Sequence, residues 1–285
     1  MKILFPETLA SLWQAWREHP DATVLAGGTD LLVRLRGKSV QPAVLIGLER
    51  LNELNFISMD GDNLVAGAAV CLEELRNYWS LDRLQVLREA LDSFASPPIR
   101  HSATIGGNLC TASPAGDCLP PLYVLDAVVT LASEAGRREM AVADFIAGPG
   151  RTALAPREIV TVVKIPLPPS DAITSYSKVG KRKALAIAVT SMALAAALEP
   201  DRQLSHVRLA WGSVGPTVTA LPEIEQLLTG KPLTMELLRQ AAAQVAAAVK
   251  PIDDVRSSAA YRRQVAGNLL VKALLPFTYK GRDKT

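Results

Sequence analysis

Residues 103–117 read ATIGGNLCTASPAGD: two adjacent glycines and an asparagine between the apolar Ile105 and Leu109, then small hydroxyl residues and an aspartate. Glycine has no Cβ, so Gly106 and Gly107 can take positive φ and let the backbone approach another group closely. Asn108 tolerates the left-handed region better than most residues. A turn built this way exposes consecutive N–H groups, which bind anions. Thr111, Ser113 and Asp117 would add hydroxyl and carboxylate contacts. A plain Gly-Gly turn between two strands reads the same stretch equally well.

A second stretch repeats the logic. Residues 23–32, TVLAGGTDLL, run an apolar strand into Gly27 and Gly28, then into a hydroxyl and an acid, Thr29 and Asp30. A helix beginning near Asp30 would offer its N-terminal N–H groups and partial positive charge to a phosphate. One such loop is common. Two in one domain, each trailed by Thr and Asp, point to a ligand with two phosphates held from both sides, as in a dinucleotide's pyrophosphate. Neither loop reads GxGxxG or continues into a long crossover helix, which excludes a Rossmann site. There is no GxxxxGK[ST] and no GxSxG, so P-loop and nucleophile-elbow chemistry have no support. His19, His101 and His206 lie apart without metal-ligand spacing, and His101 beside Arg100 reads more simply as a turn histidine than a catalytic one. A bound redox dinucleotide is the most economical reading.

The chain has 285 residues, 49% hydrophobic and 21% charged, which fits one large globular domain or two modest ones. A net charge of +3 and scattered aromatics argue against nucleic acid, and the cluster Lys181 to Lys183 reads as a solvated turn. Cys71, Cys110 and Cys118 form no CxxC pair. Three thiols cannot supply the four ligands of a typical iron–sulfur cluster and give no disulfide framework. A reducing, cytoplasmic compartment is expected. MKILFPETLA lacks a signal-peptide apolar region. The longest apolar tract, within ALAIAVTSMALAAALE (184–199), falls short of the roughly 18 to 20 residues of a membrane span.

Along the chain, Leu9, Leu12, Trp13 and Trp16 mark an amphipathic helix closed by Pro20. TVL and PAVLIGL read as buried strands, with a brief helix between them stopped by Gly37. NFISMDGDNLVAGAAV is a hairpin around Asp60 and Gly61. Leu84, Leu87, Leu91 and Phe94 lie on one helical face, ended by Pro97 and Pro98. LPPLYVLDAVV opens with prolines suited to a first helical turn, and a second hairpin turns at Glu134 to Arg137. The strand EIVTVVKIPLPP runs into Pro166, Pro168 and Pro169, the best domain boundary. Beyond it come three strands of an antiparallel meander, then helices from Pro222 onward, an α+β arrangement.

LAGGTDLLV and ATIGGNLCTASPAGDCLPPLYVLDA, in this order, resemble the FAD-binding subunit of the molybdenum hydroxylases. This family includes the flavin subunit or domain of xanthine dehydrogenase and the medium subunits of carbon monoxide and nicotinate dehydrogenases. The likeness spans nearly the whole chain, including YRRQVAGNLL (261–270). It implies an α+β chain. Residues 1–168 would form an FAD-binding domain of the vanillyl-alcohol-oxidase (PCMH) type, in two parts over about 1–55 and 56–168. A smaller domain of antiparallel sheet plus helices would follow over 172–285.

The resemblance also implies sites. Val24, Leu25, Ala26, Gly27, Gly28, Thr29, Asp30 and Leu31 would wrap one phosphate of FAD, through backbone N–H groups from Ala26 to Thr29. Thr104, Ile105, Gly106, Gly107 and Asn108 would wrap the other. Asp117 would accept hydrogen bonds from ribityl or ribose hydroxyls, and Phe94 would lie against the adenine. Val160 and Lys178 match positions near the isoalloxazine, where a cation would stabilise negative charge on the reduced ring; Ile187 matches a residue covering its face.

The chain lacks the cysteine-bearing insertion that gives some members a four-iron cluster, so FAD is its one expected cofactor. A 2Fe-2S iron–sulfur subunit and a molybdopterin-containing large subunit are the implied partners, with NAD or another electron acceptor. A self-sufficient flavin-dependent reductase or oxidase of the same fold is the alternative, and a non-redox interaction protein is a third reading. The intact Gly27, Gly28, Gly106, Gly107 and Asp117 argue against the last.

Overall fold

The computed structural model describes residues 1–200 and 203–278; residues 279–285 of the expected second domain lie outside it. The chain forms two compact units. The first comprises Met1–Leu81, Ala95–Ser113 and Asp126–Leu167; the second comprises Asp82–Phe94, Pro114–Leu125 and the described residues from Pro168 onward.

In the first unit, three short strands lie parallel in the order Lys2–Leu4, Val44–Gly47, Thr23–Leu25. Parallel neighbours need crossover connections, and the helices Leu9–Glu18 and Leu31–Arg36 supply them. The first helix starts at a capping box: Thr8 Oγ1 accepts from Ser11 N (3.1 Å), and Ser11 Oγ accepts from Thr8 N (3.1 Å). It buries Leu12 and Trp16 against Ile46, Leu48 and Leu51. Burial of each such side chain is worth about 2 kcal/mol.

A five-stranded antiparallel sheet follows, in the order Ile57–Asp60, Asn63–Gly67, Ile159–Pro166, Val128–Ser133, Gly136–Ala141. Its central strand carries a bulge between Val160 and Val162. Both hairpins sit where the turn residues place them. Three short helices, Leu72–Asn77, Pro97–Ser102 and Ile105–Thr111, also belong to the unit. Pro97 and Pro98 do not end the preceding helix, which already stops at Ser93; they open the next one. Proline suits that first turn because its missing N–H would have no intrahelical partner.

The second unit holds a four-stranded antiparallel sheet, Ile173–Val179, Thr190–Leu198, Leu204–Gly212 and Thr219–Ala220 in that order. The helices Pro222–Leu228, Met235–Ala248 and Ala259–Leu274 bury Ile224, Leu238, Val245 and Leu270 against Leu194, Leu209 and Trp211. The Trp211 indole N–H donates to Ala266 O at 3.1 Å, which satisfies its buried polar atom. Two earlier helices, Gln85–Ser93 and Leu119–Val124, also belong to this unit. Leu87, Leu91 and Leu122 are fully buried. Among the described residues no helix is long and apolar enough to cross a membrane.

Candidate functional site

The first glycine segment is a true loop. After the strand Thr23–Leu25, Gly28 takes φ +72°, a conformation that L side chains rarely adopt. Gly27 lies so close to the next segment that a Cβ built there would sit 1.7 Å from Ser102 O and 2.6 Å from Ser102 C. Leu25 O accepts from Leu48 N, Gly28 O from Leu32 N, and Asp30 O from Val33 N and Arg34 N. The N–H groups of residues 26–31 meet no acceptor among the described residues. Residues 26–29 are half-buried. A run of consecutive N–H groups without acceptors can serve as an anion cradle. The Asp30 carboxylate is not a helix cap.

The second glycine segment differs from the sequence expectation. It is not an open turn with positive φ but the first turn of the helix Ile105–Thr111. Its N–H groups are already used: Ile105 N donates to Val70 O (3.0 Å), Gly106 N to Ala68 O (3.0 Å) and Asn108 N to Thr104 O (2.9 Å). Gly107 N donates to Thr104 Oγ1 at 3.0 Å. Thr104 is an N-cap, and capping turns the glycines into helix. Positive φ appears instead at Ala112, which closes the helix at φ 45°.

Gly106 is required because a Cβ would meet Ala68 Cβ at 2.6 Å and Ala68 O at 2.8 Å. At Gly107 a Cβ would meet only Thr104 Oγ1, at 2.8 Å. Thr111 Oγ1 donates to Gly107 O rather than facing a ligand. Asn108 Oδ1 is buried and has no partner. A buried acceptor without a donor is costly, so this atom calls for a hydroxyl or amide from a bound group. Together with the N–H row, it fits an FAD whose phosphates and sugar hydroxyls supply the missing acceptors and donors.

In the second unit, Asp117 and Lys178 come together directly. Lys178 Nζ donates to Asp117 Oδ2 at 2.6 Å and to Ser93 O at 2.8 Å, and Tyr176 OH donates to Asp117 Oδ1 at 2.9 Å. Both charged side chains are only 8% exposed. Burial pushes the Asp117 carboxyl up, against the pull of Lys178 and Tyr176. Burial first, then the Asp117 charge, push the Tyr176 phenol well above its ordinary value, so it remains a donor. Each carboxylate oxygen keeps a lone pair and the ammonium keeps a third N–H. The triad can therefore still meet a hydroxyl or a ring acceptor.

Tyr176 was not singled out from sequence. It lies two residues before Lys178 on the strand Ile173–Val179, which puts both on one face. Its own N–H donates to Glu89 Oε2 at 2.6 Å, a second contact the sequence reading missed.

Phe94 is half-buried at the end of the helix Gln85–Ser93. Val160 is buried at the bulge of the central strand. The next residue, Thr161, accepts from Ala68 N through its carbonyl, and Ala68 O in turn holds Gly106 N. Ile187 is 63% exposed, on a segment without regular structure. His101 is exposed beside the buried Arg100. Among the described residues no three His, Cys, Asp or Glu side chains gather as metal ligands would.

Comparison with known proteins gives the same picture. Residues 1–168 match the family model described as the FAD binding domain in molybdopterin dehydrogenase, and residues 175–277 match the CO dehydrogenase flavoprotein C-terminal domain. The nicotinate dehydrogenase FAD-subunit of Eubacterium barkeri is 32% identical over 266 residues, covering 91% of this chain and 90% of that protein. The xanthine dehydrogenase FAD-binding subunit of Escherichia coli O157:H7 is 28% identical over 270 residues, covering 94% and 92%. Among solved structures, a chain of carbon monoxide dehydrogenase from Hydrogenophaga pseudoflava superposes with a TM-score of 0.91 at 28% identity over 96% of both chains. This chain belongs to the family of FAD-binding flavoprotein subunits of the molybdopterin dehydrogenases, a family of oxidoreductases.

Proposed function

We propose that this member of the family is the FAD-carrying electron-transfer subunit of a multi-subunit molybdenum hydroxylase. Its partners are a 2Fe-2S iron–sulfur subunit and a molybdopterin-containing large subunit; the names of its relatives, FAD-subunits and medium chains of dehydrogenases that it matches over most of their length, support this. The observation that carries the cofactor assignment is the row of acceptor-free N–H groups over residues 26–31. When bound, FAD would supply the redox chemistry that links the iron–sulfur partner to NAD or another acceptor.

The chain's own residues bind, orient and tune. Residues 24–31 wrap one phosphate, the donors being the backbone N–H groups of 26–31, with Gly28 giving the loop its left-handed bend. Thr104 and Asn108 serve the other phosphate and its adjoining hydroxyls with side-chain groups, because the N–H groups of 105–108 are spent internally. At Gly107 only the Thr104 hydroxyl stands where a Cβ would be, and the missing side chain would let the ligand come close to that hydroxyl. Asp117, held by Tyr176 and Lys178, would accept from sugar or ribityl hydroxyls, and the third N–H of Lys178 would be left for a polar atom of the flavin. Phe94 serves the adenine end and Val160 the ring.

An absorption spectrum of the purified chain, with mass analysis of what acid releases, tests the assignment. Flavin bands near one FAD per chain are expected. A colourless chain that also fails to bind added FAD overturns it. Co-purification of iron–sulfur and molybdenum chains from the native host tests the partners.

A further inference from the structure

Residues 68–73 lie alongside 103–106 as a splint: Gly106 N donates to Ala68 O, Ile105 N to Val70 O and Leu72 N to Ala103 O at 2.8 Å. Beyond these bonds the splint closes on a buried ion pair. Arg100 Nε donates to Glu73 Oε2 at 2.5 Å, and each side chain is 10% exposed. Arg76 donates to Glu73 Oε1 at 3.1 Å. The Arg100 guanidinium, against the cost of burial, holds the Glu73 carboxyl below its usual range. Between the pair and the splint lies Ser102, whose carbonyl oxygen presses on Gly27. The helix Pro97–Ser102 thus carries Arg100 near its end and, two residues on, the atom that seats the first glycine loop.

We propose that Glu73 and Arg100 are a positioning pair for the FAD site. They anchor the helix Pro97–Ser102, fix where Ser102 O meets Gly27, and so set the spacing between the N–H row of 26–31 and the Thr104–Asn108 segment. Neither side chain touches the cofactor in this scheme. A buried ion pair adds little net stability over apolar residues of similar volume; in this proposal its contribution is the one geometry it holds. Spacing is what a clamp on a pyrophosphate needs, since the affinity comes from several N–H groups converging on fixed oxygens.

The inference rests on the assignment of FAD to these segments, and the test separates the two. Wild-type apoprotein, Glu73→Gln, Arg100→Met and the double variant Glu73→Leu/Arg100→Met are titrated with FAD by flavin fluorescence, and each apoprotein is melted. Failure of the wild type to bind FAD would refute the cofactor assignment itself. With wild-type binding in hand, each single variant should weaken FAD at least tenfold. The double variant should recover the melting temperature of the wild-type apoprotein but not its affinity. At saturating FAD, its two ³¹P resonances should shift from the wild-type positions while the flavin absorption bands stay. Wild-type affinity in the single variants, or affinity regained in step with melting temperature in the double variant, overturns the positioning role. If the single variants fail to fold, the double variant still decides.

Discussion

Replacing Lys178 with Met removes one member of an ion pair whose side chains are each 8% exposed. Methionine keeps an apolar stem but donates nothing. Asp117 Oδ2 loses its 2.6 Å partner and Ser93 O its 2.8 Å donor, so Tyr176 alone remains on the carboxylate. Stripping one partner from a buried pair leaves an uncompensated charge and costs about 3–5 kcal/mol. That is roughly a hundredfold to several-thousandfold in the folding equilibrium. The molecule can escape part of this by protonating Asp117.

Burial already raises that carboxyl, and deleting Lys178 removes the larger of the two influences opposing it. A carboxyl with a raised folded pKa binds more protons folded than unfolded. Its stabilising contribution is complete below the unfolded value of about 3.9 and is lost as pH rises through the folded pKa. The penalty of Lys178→Met should therefore be small at acid pH and full in mildly alkaline buffer.

Peptide-resolved hydrogen exchange over the strand Thr190–Leu198, which pairs with the strand carrying Lys178, reads this locally. Protection should drop in Lys178→Met at alkaline pH and return on acidification. It should also return largely in Asp117→Asn/Lys178→Met, where both charges are gone. Equal protection in wild type and Lys178→Met at alkaline pH, or a loss indifferent to pH, would refute the reasoning.

Gly27→Ala places a Cβ 1.7 Å from backbone oxygen, so two backbone segments must part; a loss of about 1–3 kcal/mol is expected in apoprotein melts, with loss of flavin from the purified chain. Wild-type melting and full flavin content would show that the close approach is dispensable. Gly107→Val pushes aside only the Thr104 hydroxyl, which caps the helix, so the chain should fold with a small loss in its apoprotein melt while flavin stoichiometry falls; unchanged stoichiometry sinks the role given to the missing side chain. Asp254 is held below the carboxylate range, by Arg256 first and by Arg262 as well. A lowered folded pKa gives stability that is present above about pH 3.9 and lost as pH falls. Asp254→Asn should flatten the acid limb of the unfolding curve, and identical acid limbs would count against the pair.

Local pattern was legible where one element decides its own form. Leu9, Leu12 and Trp16 at helical spacing gave the first helix, and Asp60-Gly61 gave a hairpin, because both depend on neighbours within a few residues. The helices Gln85–Ser93 and Leu119–Val124 were legible as helices, but not as members of the second unit. Amphipathic spacing says that a face is buried and is silent on what buries it. The same limit hid the triad. Asp117 and Lys178 were each read against a ligand, and nothing in their separation along the chain announces that they bond to one another. The buried pair Glu73 and Arg100 was missed for the same reason.

The two Gly-Gly stretches show where a finer reading was available. In TVLAGGTDLL the glycines precede Thr29 and Asp30, so they fall outside the helix and stay in the loop, with their N–H groups unclaimed. In ATIGGNLC the capping residue, Thr104, precedes the glycines, so its hydroxyl takes the N–H of Gly107 and draws both glycines into the first helical turn. The order of cap and glycine, not the glycine pair itself, decides whether backbone N–H groups remain for an anion. It follows that the two segments cannot hold a pyrophosphate in the same way. The first offers backbone donors that side-chain substitution leaves in place. The second offers the Thr104 hydroxyl and the Asn108 amide, whose oxygen is buried without a partner. Replacing Asn108 with Leu removes that orphan at little cost to folding, yet should weaken FAD binding. A leucine variant that folds and binds FAD like the wild type would place the second phosphate elsewhere.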